Sequence, residues 1–434
     1  MTRTHDFLAV GLGPFNLGLA CLADPVTDLD GVFLEARDEL AWHPGMMLPD
    51  ATLQVPFLAD LVTMADPTSS FSFLAWLKET GRLYSFYIRE SFYPLRAEYD
   101  AYCRWAAGRL DSVRLGRHVD AITHDGEAYV VTARRRDGSV ETYRARRLVL
   151  GTGTSPSVPD QVRGLEGPVL HSADYLHRKE DLQRRSSITI VGSGQSAAEI
   201  YRDLLGDIHT HGYELTWVTR SPRFFPLEYT KLTLEMTSPE YSRYFHELPS
   251  GMRDRLVAEQ KGLYKGISGD LVDDIFDTLY RLRVHGPVPT RLLTASELTA
   301  ATWDAAGERY HLSFHHVEQR RPFALTTEGL VLATGYRPVV PAFVEPIADR
   351  IRWDAAGRYD VAAGYTIDHA DDEIFVQNAE EHTHGFVAPD LGMGAHRSSV
   401  LVNRLAGREV YPVEQRIAFQ EFGAPSDLVA EVIA

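Results

Sequence analysis

The chain contains very little cysteine: among 434 residues only Cys21 and Cys103 are cysteines, and they lie far apart. Two such residues cannot form a disulfide framework or a thiolate metal site, so a reducing compartment, the cytoplasm, is expected. No apolar run approaches the roughly 20 residues that cross a bilayer, and no membrane partner is expected. The first apolar segment, residues 7–10, begins too early for a secretory signal to precede it.

Positive charge is also scarce, since 44 Lys and Arg face 60 Asp and Glu, giving a formal charge of -16 at pH 7. An acidic surface repels phosphate, which argues against a nucleic-acid partner. Small cationic substrates are compatible with it. The length predicts two or three domains, and a hydrophobic content of 44% is enough to fill their cores.

One local pattern occurs twice: a short apolar strand, a glycine turn, a helix of small residues, and a second strand. The first copy comprises residues 7–10, 11–13 and 31–35, and the second comprises residues 188–191, 192–194 and 214–219. Each copy predicts a βαβ unit. The fold class predicted is therefore α/β, with two Rossmann-like dinucleotide-binding domains built on doubly wound sheets, plus a small helical substrate region.

The segments between these units predict the domain boundaries. Residues 151–159 are rich in glycine and proline and predict a linker. Helical periodicity, with Ile275, Leu279 and Leu282 on one face, marks the helical region, and the apolar run at residues 330–335 predicts a return to the first domain. The predicted division is 1–160 and 326–434 for the first domain, 161–222 and 287–325 for the second, and 223–286 for the helical region.

The first glycine turn offers Gly11 and Gly13, and Glu35 ends the second strand. In a Rossmann unit such glycines let the backbone approach a pyrophosphate at the helix N-terminus, while the acid binds a ribose. Asn16 occupies the third glycine position, so the strict fingerprint is broken. The alternative is a tight turn of any α/β protein.

The second turn offers Gly192, Gly194 and, in the third position, Ala197, but Arg220 follows the second strand in place of an acid. An arginine there suits the 2′-phosphate of NADPH, although it could also be a solvated surface charge. Two dinucleotide sites predict hydride transfer from NADPH to a bound flavin. Because the chain has no closely spaced cysteine pair, oxygen is the remaining common electron acceptor.

Residues 165–175, with Gly167, His171 and Tyr175 in regular spacing, resemble the signature of class B flavin monooxygenases. Further stretches resemble the siderophore N-hydroxylating monooxygenases, the lysine and ornithine side-chain N-hydroxylases and especially the diamine enzymes. They are residues 11–17, 42–46, 53–67, 328–341 and 383–385. The resemblance implies FAD, NADPH, a C4a-hydroperoxyflavin attacked by an unprotonated amine, and a homo-oligomer of two or four copies.

The resemblance also implies roles for individual residues. The FAD site would comprise Gly11, Gly13, Pro14, Glu35, Trp42, His43, Gln54, Val119, Asp390 and Leu391. The NADPH site would comprise Gly192, Gly194, Gln195, Ser196 and Arg220. Gln54 is in addition the candidate catalytic residue beside the flavin. His171 is either structural or catalytic, and His382 with His384 could instead suggest a metal site, which is the weaker interpretation.

The substrate is predicted from one departure from the family. A lysine that pairs with the amino-acid carboxylate in lysine and ornithine hydroxylases is replaced by Ala59. An unpaired carboxylate in a partly desolvated pocket would cost on the order of several kcal/mol, so a carboxylate-free diamine, cadaverine or putrescine, is predicted. Its second ammonium needs an acid, for which the candidates are Glu380, Glu381, Asp390 and Asp270.

Three alternatives remain. An arginine elsewhere could replace the missing lysine, which would make the chain an L-lysine side-chain N-hydroxylase. A flavoprotein reductase would pass electrons from NADPH to a protein partner. A Baeyer–Villiger enzyme would oxygenate a carbonyl compound, against which the amine-hydroxylase stretches argue.

Overall fold

The computed structural model describes residues 3–425. Within them the strands are β1 (Thr4–Val10), β2 (Gly31–Leu34), β3 (Val113–Arg114), β4 (His118–His124), β5 (Tyr129–Arg134), β6 (Val140–Leu150), β7 (Thr154–Pro156), β8 (Leu170–His171), β9 (Ser187–Val191), β10 (Glu214–Val218), β11 (Thr290–Leu293), β12 (Ser296–Asp304), β13 (Arg309–His316), β14 (Arg321–Thr327), β15 (Gly329–Leu332), β16 (Tyr336–Pro338) and β17 (Ile374–Val376).

The α-helices of the same residues are α1 (Pro14–Ala23), α2 (Phe73–Glu79), α3 (Leu83–Ile88), α4 (Arg96–Ala107), α5 (Tyr175–Gln183), α6 (Gln195–His211), α7 (Lys231–Leu234), α8 (Pro239–Glu247), α9 (Ser250–Glu259), α10 (Gly269–Arg283), α11 (Glu381–His384) and α12 (Gly394–Ala406). Short 3₁₀ turns lie at Pro44–Met46, Asp160–Val162, Ser172–Asp174, Gln260–Leu263, Ala342–Arg350, Gly385–Val387 and Leu391–Met393.

The first sheet has the strand order β3-β2-β1-β6-β5-β4, with β17 also pairing to β6. Strand β1 runs parallel to β2 and β6, with Val10 in register with both Leu34 and Leu150. Along β1 the buried side chains alternate between two core clusters, Phe7 joining one and Leu8 the other. Because these parallel strands end together, the turns that follow them share one edge of the sheet.

The second sheet is parallel, with the order β11-β10-β9-β15-β8. Helix α6 packs its apolar face on β9 and β10, and α10 adds the buried Ile275 and the half-buried Leu279 and Leu282 to the same core. The predicted helices between residues 223 and 286 and the predicted apolar face of α10 are therefore confirmed. The antiparallel sheet β12-β13-β14 supplies Leu312 and Phe314 to a separate core with β15.

The position of β15 differs from the prediction. This fully buried strand was expected to return the chain to the first domain, but it pairs in parallel with β9 and β8. A short, uniformly apolar strand fits the centre of either sheet, so its residues do not reveal which one it joins. The chain therefore leaves the second sheet only after β15, and not before it at residue 326 as predicted. The next strand, β16, pairs antiparallel with β7 of the predicted linker. The other domain boundaries stay predictions.

Candidate active site

The first glycine turn leads from β1 into α1. Gly11 has a φ of +87°, and a Cβ there would lie 2.5 Å from the carbonyl oxygen of Gly151, so a side chain is excluded. A Cβ at Gly13 would meet nothing within 4 Å. The space in front of Pro14, the first residue of α1, is therefore open to a ligand approached by the first-turn N–H groups.

Asn16 explains the broken fingerprint. Its side chain is buried, and its Nδ2 donates to the carbonyl oxygen of Gly11 at 2.7 Å. Its Oδ1 accepts from Nε2 of Gln377 at 2.7 Å, just beyond β17. Asn16 thus braces the glycine turn against a neighbouring strand, a contact that glycine cannot make.

Glu35 lies beside this turn at the end of β2. Its Oε2 accepts from the N–H of Leu12 at 2.8 Å, and its Oε1 accepts from N and Nε of Arg37 at 3.0 and 2.8 Å. Burial alone would raise the pKa of Glu35, but the Arg37 contacts and the Leu12 N–H together hold it below its usual range.

Val119 is buried in the first-sheet core, next to an irregularity in the β4–β5 pairing, so its predicted adenine contact stays a prediction.

Four aromatic side chains from distant segments meet where the two sheets are connected. The His43 ring lies 5.1 Å from Trp42 and 5.6 Å from Tyr336, and Tyr336 lies 5.3 Å from His171, between ring centroids. His171 engages both ring nitrogens with backbone atoms of Gly335 and Ala173, each at 3.1 Å. Of the two roles considered for His171, this geometry favours the structural one.

A chain of side-chain contacts links Gln54 to the second sheet's helix α6. Nε2 of Gln54 donates to Oε1 of Gln195 at 3.1 Å, and the N–H of Ser268 donates to the same oxygen at 2.8 Å. Nε2 of Gln195 donates to Oε1 of Glu199 at 2.8 Å. Arg96, the first residue of α4, donates two hydrogen bonds to the Glu199 carboxylate, at 2.7 and 2.8 Å. The sequence motifs flagged Gln54 and Gln195 but missed Arg96 and Glu199.

The second glycine turn leads into α6. A Cβ at Gly192 would lie 2.3 Å from the carbonyl oxygen of Ala333, and Gly194 caps the helix. Because the Gln195 side chain already has three protein partners, this residue and Ser196 would offer a ligand their backbone N–H groups.

Arg220 is exposed just after β10, as the strand-end argument required. Its charge acts on Lys261: burial lowers the pKa of Lys261, and the positive charges of Arg220 and Lys265 lower it further. Arg220 and the region of Lys261 and Lys265 therefore bring positive charges together in an otherwise acidic protein.

Two of the four candidate acids already have cation partners. Glu380 is completely buried and forms an ion pair with Arg397, which also donates to the carbonyl oxygen of Ala388 at 2.9 Å. Glu381 accepts from the hydroxyl of Tyr264 and from Nζ of Lys265, the latter at 3.2 Å. Because each carboxylate is already paired with a cation, neither is available to pair with a substrate ammonium.

Asp390 is different. Its Oδ1 accepts from the N–H of Gly392 at 2.6 Å, and within residues 3–425 no arginine, lysine or histidine nitrogen lies within 4.0 Å of its carboxylate. Burial raises the pKa of Asp390, against the lowering effects of that N–H and of the Arg397 charge. The remaining candidate, Asp270, is exposed in the first turn of α10.

Tyr229 contacts the backbone of Gln54. The Tyr229 hydroxyl donates to the carbonyl oxygen of Gln54 at 3.0 Å. Burial raises the pKa of Tyr229, and the charges of Tyr93, Asp390 and Asp270 raise it further. Ala59 is 7% exposed and precedes a segment that shares a small cavity with the start of α1 and the segment after Asp390. Lining residues are Pro14, Phe15, Gly18, Asp60, Leu61, Tyr99, Leu391 and Gly394.

The two histidines near α11 serve the packing of that helix. His384 is buried, with Nδ1 2.9 Å from the Thr383 hydroxyl and its ring stacked on Tyr365. Nε2 of His382 contacts the carbonyl oxygen of Tyr359 at 2.7 Å. Residues 3–425 contain no group of three or more side chains arranged to hold a metal ion.

The family model of L-lysine 6-monooxygenase/L-ornithine 5-monooxygenase matches residues 3–338. The chain belongs to this family. The putrescine N-hydroxylase of Shewanella oneidensis is 50% identical to this chain over 427 residues, which are 98% of the chain and 85% of that relative. The family resemblance drawn from the motifs is confirmed.

Solved structures of the lysine/ornithine monooxygenase family agree with the fold. The cadaverine monooxygenase DfoA of Erwinia amylovora, bound to FAD, is 53% identical with a TM-score of 0.96, over 98% of this chain and 99% of that one. The ornithine N-hydroxylase KtzI of Kutzneria sp. 744, with reduced FAD, NADP⁺ and L-ornithine, is 28% identical with a TM-score of 0.85, over 93% and 99%. The predicted α/β fold with Rossmann-like units is confirmed.

No helix of residues 3–425 is long and apolar enough to span a membrane.

Proposed function

We propose that this chain is an FAD- and NADPH-dependent monooxygenase that hydroxylates one terminal amine of a short diamine, cadaverine or putrescine, for hydroxamate siderophore biosynthesis. The substrate assignment rests on Ala59 and Asp390, each of which is followed by a residue that lines one cavity beside α1. The buried position 59 offers no cation for a carboxylate, and the nearby segment offers a desolvated acid without an ion-pair partner.

The residues present fit both cofactors. The open space at Gly13 and the ionised Glu35 suit the pyrophosphate and ribose of FAD. The first turn of α6 and the cations around Arg220 suit NADPH with its 2′-phosphate. When bound, these groups supply hydride transfer and oxygen activation.

The protein's own task is to exclude water and to hold the amine. Hydrogen bonds run from Arg96 through Glu199 and Gln195 to Gln54 and join the elements that pack on the two sheets. They keep water out of the space between these elements. Desolvation lowers the pKa of the reacting amine and populates its neutral, nucleophilic form. The second amine stays an ammonium, and the Asp390 carboxylate pairs with it.

The relatives support a diamine over an amino acid. Proteins named for putrescine or cadaverine share 50% and 53% of residues with the chain, whereas the ornithine enzyme shares 28%. Since ornithine is putrescine carrying a carboxylate, the chemical difference between these substrates is the group that Ala59 cannot neutralise.

The test is NADPH oxidation by FAD-loaded enzyme with cadaverine, putrescine, lysine and ornithine, with separate assays for hydroxylated amine and hydrogen peroxide. Coupled oxidation with a diamine and little product from the amino acids is expected. Efficient hydroxylation of lysine with none of either diamine would make the chain an L-lysine side-chain N-hydroxylase. NADPH oxidation without hydroxylation of any amine would favour a reductase.

We also propose a cytoplasmic location and a homo-oligomer. The location is supported by two buried free thiols and by the cytoplasmic supply of NADPH. The assembly of two or four copies rests on the family resemblance, and sedimentation velocity would measure it.

A further inference from the structure

We propose that Glu199 is a positioning residue that determines, through Gln195, which end of the Gln54 amide faces the cofactor site. The inference rests on the proposed function. Its consequence is that Gln54 presents its carbonyl oxygen to the cofactors and acts there as a hydrogen-bond acceptor.

The first step is the orientation of the Gln195 amide, which follows from its fixed neighbours. The backbone N–H of Ser268 can only donate, so the side-chain oxygen of Gln195 must face it. The Glu199 carboxylate can only accept, so the NH₂ group of Gln195 must face that. Both neighbours demand the same orientation.

The second step is the orientation of Gln54. The oxygen of Gln195 accepts from the Gln54 side chain at 3.1 Å, which requires the NH₂ group of Gln54 to face Gln195. The carbonyl oxygen of the Gln54 amide is thereby directed away from α6. A reversed amide would place two oxygens against each other.

The relay depends on an ionised Glu199. Burial raises its pKa, opposed first by the Arg96 charge. Both of its oxygens nevertheless face N–H donors from Arg96 and Gln195, and only the carboxylate satisfies all of them. Since Arg96 starts α4 and Glu199 lies in α6, the orientation of Gln54 is set where the layers of the two sheets meet.

An outward oxygen at Gln54 can accept from an amide or hydroxyl group of a bound cofactor, and it repels another acceptor. The orientation therefore selects one arrangement of the reacting groups beside the flavin. Loss of the relay leaves the Gln54 side chain in place but lets its amide rotate, which weakens that selection without removing a residue from the site.

The test uses the two carboxamide–carboxylate exchanges, Gln195→Glu and Glu199→Gln, separately and together. Gln195→Glu alone places two carboxylates side by side, and Glu199→Gln alone gives Arg96 and Gln195 one acceptor oxygen to share. The double variant restores the bonds of position 195, because Glu there accepts from Gln54, from Ser268 and from Gln at position 199, whose single oxygen keeps one of the two Arg96 bonds. The exposed Glu214→Gln on β10 is the matched control.

Two measurements are compared across these proteins. Each single variant is expected to lower the melting temperature of the FAD-loaded protein by about 2–4 °C. Each is also expected to lower the ratio of hydroxylated diamine to hydrogen peroxide about tenfold, as for one lost hydrogen bond. The double variant should recover most of the product ratio, but only part of the melting temperature, because one Arg96 bond stays lost. Glu214→Gln should change neither.

A purely structural ion pair predicts the opposite, because the double variant lacks the Glu199 carboxylate as much as the single one does. A double variant that melts no higher than the singles overturns the relay. A double variant that recovers its melting temperature but not its product ratio overturns the link to Gln54. If the wild type hydroxylates no diamine, the proposed function fails, and the melting series still decides whether the relay exists.

Discussion

Replacing Asp390 by asparagine tests the substrate assignment most directly. Asparagine keeps the side-chain oxygen that accepts from the N–H of Gly392 and is an equally good helix-capping residue, so the local turn should persist. The substitution removes the negative charge alone. The expected loss therefore falls on the interaction with the second ammonium of a diamine.

The magnitude follows from the environment of the carboxylate. Removing one partner of a desolvated ion pair costs about 2–5 kcal/mol, and the lower end applies to a half-buried group. A loss of about 2–3 kcal/mol corresponds to a fall of about 30- to 150-fold in kcat/KM for cadaverine. Pentylamine has the same chain length and no second ammonium, so its kcat/KM should change far less.

The assay is the kcat/KM ratio of cadaverine to pentylamine, measured as hydroxylated product in wild type and Asp390→Asn. Glu381→Gln is the matched control, because Glu381 is already paired with Tyr264 and Lys265. It should affect both amines equally. An Asp390→Asn enzyme that loses activity equally toward both amines would refute the pairing of Asp390 with the substrate.

The same ratio has a predicted pH dependence. Burial raises the pKa of Asp390 above that of an ordinary aspartate, so on acidification its charge is lost at a higher pH than usual. The wild-type preference for the diamine should fall as pH drops through that range. Protonation of the reacting amine affects both substrates and cancels in the ratio, and in Asp390→Asn this pH dependence should disappear.

Five further substitutions test the cofactor and substrate residues. Arg220→Ala should raise the KM for NADPH about 10- to 100-fold and that for NADH little, since only NADPH carries the 2′-phosphate; equal effects in steady-state kinetics would remove Arg220 from the site. Gly13→Val should purify folded but without flavin, because its side chain enters open space, whereas Gly11→Val should lower the melting temperature; flavin content and thermal unfolding measure both. Gln54→Ala should divert NADPH electrons to hydrogen peroxide, and unchanged coupling would place it outside the site. Ala59→Lys should raise the KM for diamines, because it adds a like charge near the second ammonium.

The sequence was sufficient to predict what is contiguous in the chain. Each βαβ unit consists of consecutive segments, so strand, glycine turn and helix could be predicted together. The strand β15 could not be assigned to its sheet, because its pairing with β9 joins residues far apart and its side chains are uniformly apolar. Periodicity shows that a segment is buried but not which neighbour buries it.

The same limit applies to the site. By its sequence position Glu380 is a candidate ammonium partner, but Arg397 lies against it in the buried interior, an ion pair that no motif indicates. Gln195 is predicted in the NADPH site, but no motif indicates that its side chain contacts Gln54 and Glu199. Motifs identify which residues lie near a cofactor, and long-range side-chain contacts decide what each of them does.

The substrate charge requires two positions to be considered together. An amino-acid substrate brings a carboxylate that needs a cation, whereas a diamine brings an ammonium that needs an anion. In this chain the buried Ala59 provides no cation, and Asp390 provides an anion without an ion-pair partner among the described residues. The residues after each of them line one cavity beside the start of α1. A missing cation alone would merely weaken amino-acid binding. In the proposed site, a missing cation together with an added anion would invert the charge that the substrate site accepts, and that inversion would distinguish a diamine hydroxylase from an impaired lysine hydroxylase.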